Sequence, residues 1–184
     1  MSFTVQLILD IDHTLKLHNT ARDTPPVPGM PELISAWAAK WNPSIQYVTN
    51  RWGPMAWLGL GPSSFIHRHY PPGTIQQRPW YDLIGWASRS TNHKDASMAR
   101  LSPVKYDVVI MLGDDVDFDA VVYTQAVKAG IIGGKSLTVI GIRSVSGMPK
   151  CDLTKGLPAT VHAIVYRDVG ALAEFVSRVV KTTT

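Results

Sequence analysis

The chain has 184 residues, of which 17% are charged and 45% apolar, with a formal net charge of +4. That length can bury a sizeable core, so one domain spanning residues 1–184 is expected, and the composition excludes a disordered chain. A single cysteine excludes an internal disulfide, and no run approaches the ~20 apolar residues of a membrane span, so the expectation is a soluble, cytoplasmic protein.

In chain order, residues 4–9 form an apolar run that reads as a first strand. Asp10 and Asp12 follow at i, i+2, with Thr14 close behind. Both acids can serve one site if the strand ends beside them and the chain turns. Such a site lies at the carboxyl end of a strand, where open α/β sheets bind ligands. Aspartate is also a common turn residue, so the segment alone leaves an Asp-rich turn open. Residues 16–28 are rich in charge and proline and read as a loop. Met30, Leu33, Ile34, Trp37, Ala38 and Trp41 then recur at helical spacing. Pro31 suits the first turn of that helix, and Asn42-Pro43 closes it.

Residues 45–48 predict a second strand, with Thr49 at its end and Asn50, Arg51 and Trp52 on the loop beyond. Glycines and prolines interrupt residues 52–92, where only a short third strand at 74–77 is expected. A helix is expected at about residues 93–101, beginning at His93-Lys94. Residues 107–112 are a β-branched apolar run, the best strand signal after the first. The acidic segment Gly113-Asp114-Asp115-Val116-Asp117-Phe118-Asp119 follows, and a helix over 118–129 is closed by Gly130. Strands at 137–142 and 161–166 and a last helix bearing Leu172, Phe175, Val176, Val179 and Val180 complete the pattern; the Thr182–Thr184 tail is expected to fray. Alternating strands and helices imply a parallel sheet with helices on both faces.

The ordered set Asp10/Asp12/Thr14, Thr49, Lys94 and Asp114/Asp119 resembles the four motifs of the haloacid dehalogenase superfamily of phosphotransferases. A closer resemblance is to the catalytic domain of the actin-patch phosphatidate phosphatase family. It is carried by Pro28-Gly29-Met30-Pro31-Glu32-Leu33, Asn42-Pro43, Tyr47-Val48-Thr49-Asn50, Tyr70-Pro71-Pro72-Gly73, His93-Lys94, Gly113-Asp114-Asp115 with Asp119 and Tyr123, and Ile140-Gly141-Ile142-Arg143. It covers about residues 7–145.

The resemblance implies a three-layer α/β Rossmann-like fold and a Mg²⁺-dependent phosphomonoesterase working through an aspartyl-phosphate. Asp10 would be the nucleophile and Asp12 the general acid and base. Thr49 would bind the transferred phosphoryl group and Lys94 would neutralise it as a point charge; Lys105 is the competing lysine. Asp10, Asp114 and the backbone carbonyl of Asp12 would hold Mg²⁺, a hard cation with oxygen ligands. Asp119 would orient a metal-bound water or the lysine. Asp115 and Asp117 read as helix-start residues in preference to metal ligands.

Thr14, Asn50, Arg51 and Trp52 are candidate substrate contacts. One position departs from the pattern: His13 stands where the phosphatidate phosphatase motif usually has a third acid. The gaps at residues 16–28 and 52–92 leave little chain for a cap domain, so an open site is expected. The aromatics from Trp52 to Trp86 serve either as core or as an apolar wall for a lipid-like body. A phosphorylated organic or lipid substrate, with peripheral membrane contact, is the leading expectation. The alternatives are a phosphatase for a nucleic-acid end or soluble metabolite, and a non-catalytic binding module of the same fold. The scattered lysines and arginines form no stripe for tracking nucleic acid.

Overall fold

The computed structural model describes residues 3–17, 24–52, 62–78, 106–115, 118–144 and 153–183. Six strands form one sheet: β1 (Val5–Asp10), β2 (Ser44–Trp52), β3 (Thr74–Arg78), β4 (Val108–Gly113), β5 (Leu137–Arg143) and β6 (Val161–Tyr166). Their spatial order is β3-β2-β1-β4-β5-β6, and every pairing is parallel. The chain builds outward from β1 in one direction and then from β4 in the other. The crevice between β1 and β4 is therefore the topological switch point of an open α/β sheet.

Strands buried on both faces read as continuous apolar runs; β1 and β4 are buried at every residue. Side chains alternate between two cores. Leu7, Leu9, Ile110, Leu112, Leu137 and Val139 face one core with α1 (Met30–Trp41), α2 (Pro62–His69) and α4 (Val169–Thr183). Ile8, Val109, Met111, Ile140 and Ile142 face the other, covered by α3 (Asp119–Lys128) through Ala120, Val122, Tyr123, Ala126 and Val127. The result is the expected three-layer arrangement.

The first helix runs over Met30–Trp41, with a proline in its first turn. It stops where Asn42 turns left-handed at φ 45° and its N–H bonds the Ala38 carbonyl at 2.9 Å. Three expectations need correction. Strand β2 continues to Trp52 instead of ending at Val48, so Thr49, Asn50, Arg51 and Trp52 lie on the strand and not on a loop. Residues 62–69 form a helix where none was expected. The last helix includes Thr182, whose hydroxyl bonds the Val179 carbonyl at 2.9 Å, so that part of the tail is ordered. The helix expected at 93–101 lies outside the described residues.

Candidate active site

Strand β1 ends at Asp10, and the chain turns at once. The Leu15 and Lys16 N–H groups both reach the Ile11 carbonyl, at 3.1 and 3.0 Å, and Thr14 N–H reaches the Asp12 carbonyl at 2.7 Å. At the centre of the turn His13 has φ 57°, a left-handed conformation that asparagine, aspartate and histidine tolerate better than most residues. Histidine is thus compatible with the position from which the motif's usual third acid is missing. The turn returns Thr14 toward the strand, and its hydroxyl donates to Asp10 Oδ2 at 3.0 Å. Asp10 and Thr14 are both buried.

Two parallel neighbours contribute the rest. From β2, the Thr49 hydroxyl donates to Asp12 Oδ2 at 3.3 Å. Beside Thr49 the β2–β3 register slips: Val48 pairs with Gln76, yet Trp52 pairs with Arg78. Four residues of β2 thus advance against two of β3, a bulge of the kind that re-aims side chains near active sites. From β4, Gly113 leads into Asp114, and α3 begins at Asp119. Asp119 is fully buried; its Oδ2 accepts the N–H groups of Asp114 at 3.1 Å and Asp115 at 3.4 Å. Asp115 Oδ1 takes the Phe118 N–H at 3.0 Å, the helix-start role expected of it.

Gly113 makes this packing possible. A Cβ built there would stand 2.6 Å from both Cβ and Oδ2 of Asp119. Only a glycine lets the α3 start close onto the end of β4. The motif contains Gly113, but its one-dimensional pattern gives no sign of the neighbour it accommodates.

The carboxylates of Asp10, Asp114 and Asp119 consequently meet: one oxygen of each lies within 4.8 Å of the others. Like charges this close, two of them on buried side chains, disfavour one another unless an opposite charge joins them. Around them lie buried hydroxyls. Tyr123 OH donates to the Leu112 carbonyl at 3.0 Å, and burial pushes its pKa well up, with Asp119, Asp10 and Asp114 adding to the effect. Burial also raises Tyr166, opposed by Arg143 and reinforced by Asp114 and Asp10.

The structure thus brings Asp10, Asp12, Thr14, Thr49, Asp114 and Asp119 to the carboxyl-terminal side of the central strands β2, β1 and β4. The backbones of Asn50, Arg51 and Trp52 follow Thr49 on β2. Lys94, Lys105, Asp117 and the aromatics Trp57, Trp80, Tyr81 and Trp86 lie outside the described residues. Phe65 and Tyr70 belong to the core. Arg143, which entered only as part of a closing-strand pattern, reaches the loop after β1: its Nη1 donates to the His13 carbonyl. Among the described residues no helix is long and apolar enough to cross a membrane.

Residues 5–143 match the family described as phosphatidate phosphatase APP1, catalytic domain. No curated protein and no solved structure gives a match.

Proposed function

The chain belongs to the phosphatidate phosphatase APP1 catalytic-domain family, a family of phosphatases, and from that membership we propose a Mg²⁺-dependent phosphomonoesterase acting through an aspartyl-phosphate on a lipid-like phosphate. The observation that carries the reading is the Asp10–Asp114–Asp119 cluster at the sheet's switch point. Its donor set is all carboxylate oxygen, which suits a hard divalent cation better than a soft one. When bound by Asp10 and Asp114, Mg²⁺ would supply the positive charge that lets a carboxylate approach a phosphate dianion.

The chain's own residues divide the remaining work. An Asp10 oxygen attacks phosphorus as the ester P–O bond breaks. The carboxylic acid of Asp12 gives its proton to the departing alkoxide oxygen. Water then attacks the phosphorus of the aspartyl-phosphate, Asp12 takes the proton back, and inorganic phosphate leaves with Asp10 restored. The Thr49 hydroxyl, 3.3 Å from Asp12 Oδ2, is close enough to steer that acid and to bond a phosphoryl oxygen. Thr14 fixes the Asp10 carboxylate through its 3.0 Å bond, and Asp119 holds the Asp114 backbone. Lys94 is the proposed cation for the phosphoryl oxygens, and Asn50, Arg51 and Trp52 the proposed contacts to the rest of the substrate, with the protein meeting lipid at a membrane surface. A single domain and a cytoplasmic setting belong to the same reading.

The test is hydrolysis of an aryl phosphate with Mg²⁺, with excess chelator, and after Mg²⁺ is restored, followed by a panel of phosphatidate, a sugar phosphate and a 5′-phosphorylated oligonucleotide. Activity should vanish in chelator and return with Mg²⁺, and phosphatidate should show the highest kcat/KM. Full activity in chelator would overturn the metal-dependent mechanism, and equal efficiency across the panel would overturn the lipid-like substrate. Binding gives a readout independent of turnover. Mg²⁺ at a hundred times its Kd should stabilise the fold by about 2.7 kcal/mol, and Asp114→Ala should abolish the gain.

A further inference from the structure

We propose that Arg143 is a positioning residue for this site: by holding the His13 carbonyl it fixes the left-handed turn that sets Asp12 and Thr14 against Asp10. The inference rests on the phosphatase reading above. It begins with the contrast between two residues. His13 and Asn42 are the non-glycine residues with positive φ among those described. Asn42 sits past the end of α1, where a left-handed residue is an ordinary way to finish a helix. His13 instead stands inside the nucleophile loop, and a left-handed residue there persists only if the surroundings over-determine it.

The local hydrogen bonds do part of this. Thr14 N–H holds the Asp12 carbonyl, and Leu15 and Lys16 hold the Ile11 carbonyl. The His13 carbonyl is served from 130 residues away, by Arg143 Nη1. Arg143 is well placed to be rigid. It is the last residue of β5, its register partner on β6 is the buried Tyr166, and Ser144 N–H bonds the Tyr166 carbonyl at 2.8 Å. Gly141 lies beneath, where a Cβ would come within 3.4 Å of the Tyr166 ring and 2.7 Å of Leu112. The β5–β6 pairing thus aims the guanidinium at the loop after β1.

A second observation separates this contact from simple packing. His13 Nδ1, Arg143 Nε and Tyr166 OH are buried without a hydrogen-bond partner among the described residues. Buried polar atoms are almost always paired, and exceptions mark functional sites or places for water and ligand. Here one belongs to Arg143 itself, one to His13, whose carbonyl it holds, and one to its register partner Tyr166, which also feels the charge of Asp114 and Asp10. An arginine fork offers five donors in a fixed plane, so Arg143 can hold the carbonyl with one arm and leave Nε for a bridging water.

The experiment is a double-mutant cycle on the full chain with Arg143→Met, Arg143→Lys, His13→Gly and His13→Gly/Arg143→Met. If Arg143 holds a strained turn, Arg143→Met lowers kcat by about 10²-fold, the loss expected from a small misplacement of reacting groups, while KM changes little. Glycine takes left-handed angles without steric cost, so adding His13→Gly should restore roughly tenfold of that loss, a coupling normal for groups in contact. Arg143→Lys, which keeps the charge but not the planar fork, should fall between wild type and Arg143→Met. Unchanged kcat in both single arginine variants, or losses that simply multiply in the double variant, would overturn the proposal. The same cycle read in urea is independent of turnover: His13→Gly should stabilise the Arg143→Met protein more than the wild type, and additivity there overturns the proposal too. Should Arg143→Met not fold, Arg143→Lys takes its place in both cycles. A wild-type protein that hydrolyses no phosphate would sink the phosphatase reading, and the urea cycle would still decide the role of Arg143.

Discussion

Strand β4 has an aspartate just outside each end, and the fold treats the two in opposite ways. Before the strand, Asp107 Oδ2 takes the Thr4 N–H at 2.8 Å and the Thr4 hydroxyl at 2.9 Å, and Lys135 stands 3.6 Å from Oδ1. Those Thr4 bonds, with Lys135 beside them, hold the Asp107 carboxyl below its usual range. After the strand, Asp114 is brought within 4.8 Å of two more carboxylates. The first aspartate tacks β1 to β4 and is neutralised by the chain itself. The second joins two other carboxylates in the crevice between β1 and β4. Acids gathered in a crevice, rather than tied one by one to the backbone, are the kind of cluster found at sites of chemistry.

The largest test of this contrast is Asp10→Asn against Asp107→Asn. The first should cut turnover by roughly 10⁴-fold or more, as loss of a nucleophile does, yet leave the cation-free melting temperature no lower, since one of three neighbouring charges is gone. The second should lower the melting temperature and leave turnover near wild type. The reverse pattern, seen by steady-state kinetics and calorimetry, would remove the distinction between the two ends.

Asp12→Asn comes next, with a loss of about 10² to 10⁴-fold from absent proton transfer. The loss should shrink on esters with good leaving groups, because these need little protonation. Equal losses on good and poor leaving groups would refute the acid role.

Gly113→Ala and Gly133→Ala sharpen the comparison at the level of packing. A Cβ at Gly113 meets Asp119 at 2.6 Å, whereas one at Gly133 meets Thr138 Oγ1 at an ordinary 3.6 Å. Gly113→Ala should cost about 1–3 kcal/mol from overpacking and weaken cation-induced stabilisation. Gly133→Ala should be close to neutral by urea unfolding.

At neutral pH the effect of titration is smallest, and it grows only in alkali. Burial raises the pKa of Tyr47, Tyr70, Tyr123 and Tyr166 above 10.0, so the folded state favours their neutral form. That contribution is complete below pH 10 and is lost above it, where the unfolded chain ionises first. Each such tyrosine should steepen the fall in stability by up to about 1.4 kcal/mol per pH unit. Urea midpoints from pH 7 to 11 would show it, and Tyr123→Phe should flatten the alkaline limb. A flat profile through pH 11 would mean the hydroxyls ionise without unfolding.

Much of the fold was legible because its signals are local. The apolar runs of β1 and β4, the helical spacing from Met30 to Trp41 and the Gly130 stop each reside in a few adjacent residues. The misread parts lack such signals. The last residues of β2 are polar and look like loop, although pairing with β3 keeps them extended to Trp52. Among its described side chains the α2 segment has Phe65 and Ile66 as buried apolar anchors, in a sequence of serines and histidines. In the site, the gathering of Asp10 with Asp114 was implied by the family resemblance, each acid lying just at the end of an apolar run. The contacts of Gly113 with Asp119 and of Arg143 with His13 were not, because they depend on how elements pack after the sheet is formed.

That β1 lies between β2 and β4 has a consequence for the making of the protein. During synthesis β1 emerges before the other five strands and can pair with β2 after some 40 residues, but its other edge stays open until β4 arrives. At roughly 5–20 residues per second, the intervening hundred residues take on the order of 5 to 20 seconds. Throughout that interval a largely apolar strand presents unpaired backbone groups, the kind of edge that recruits foreign strands. Nascent chains halted before residue 108 should therefore bind chaperones or aggregate, and those released after residue 143 should not.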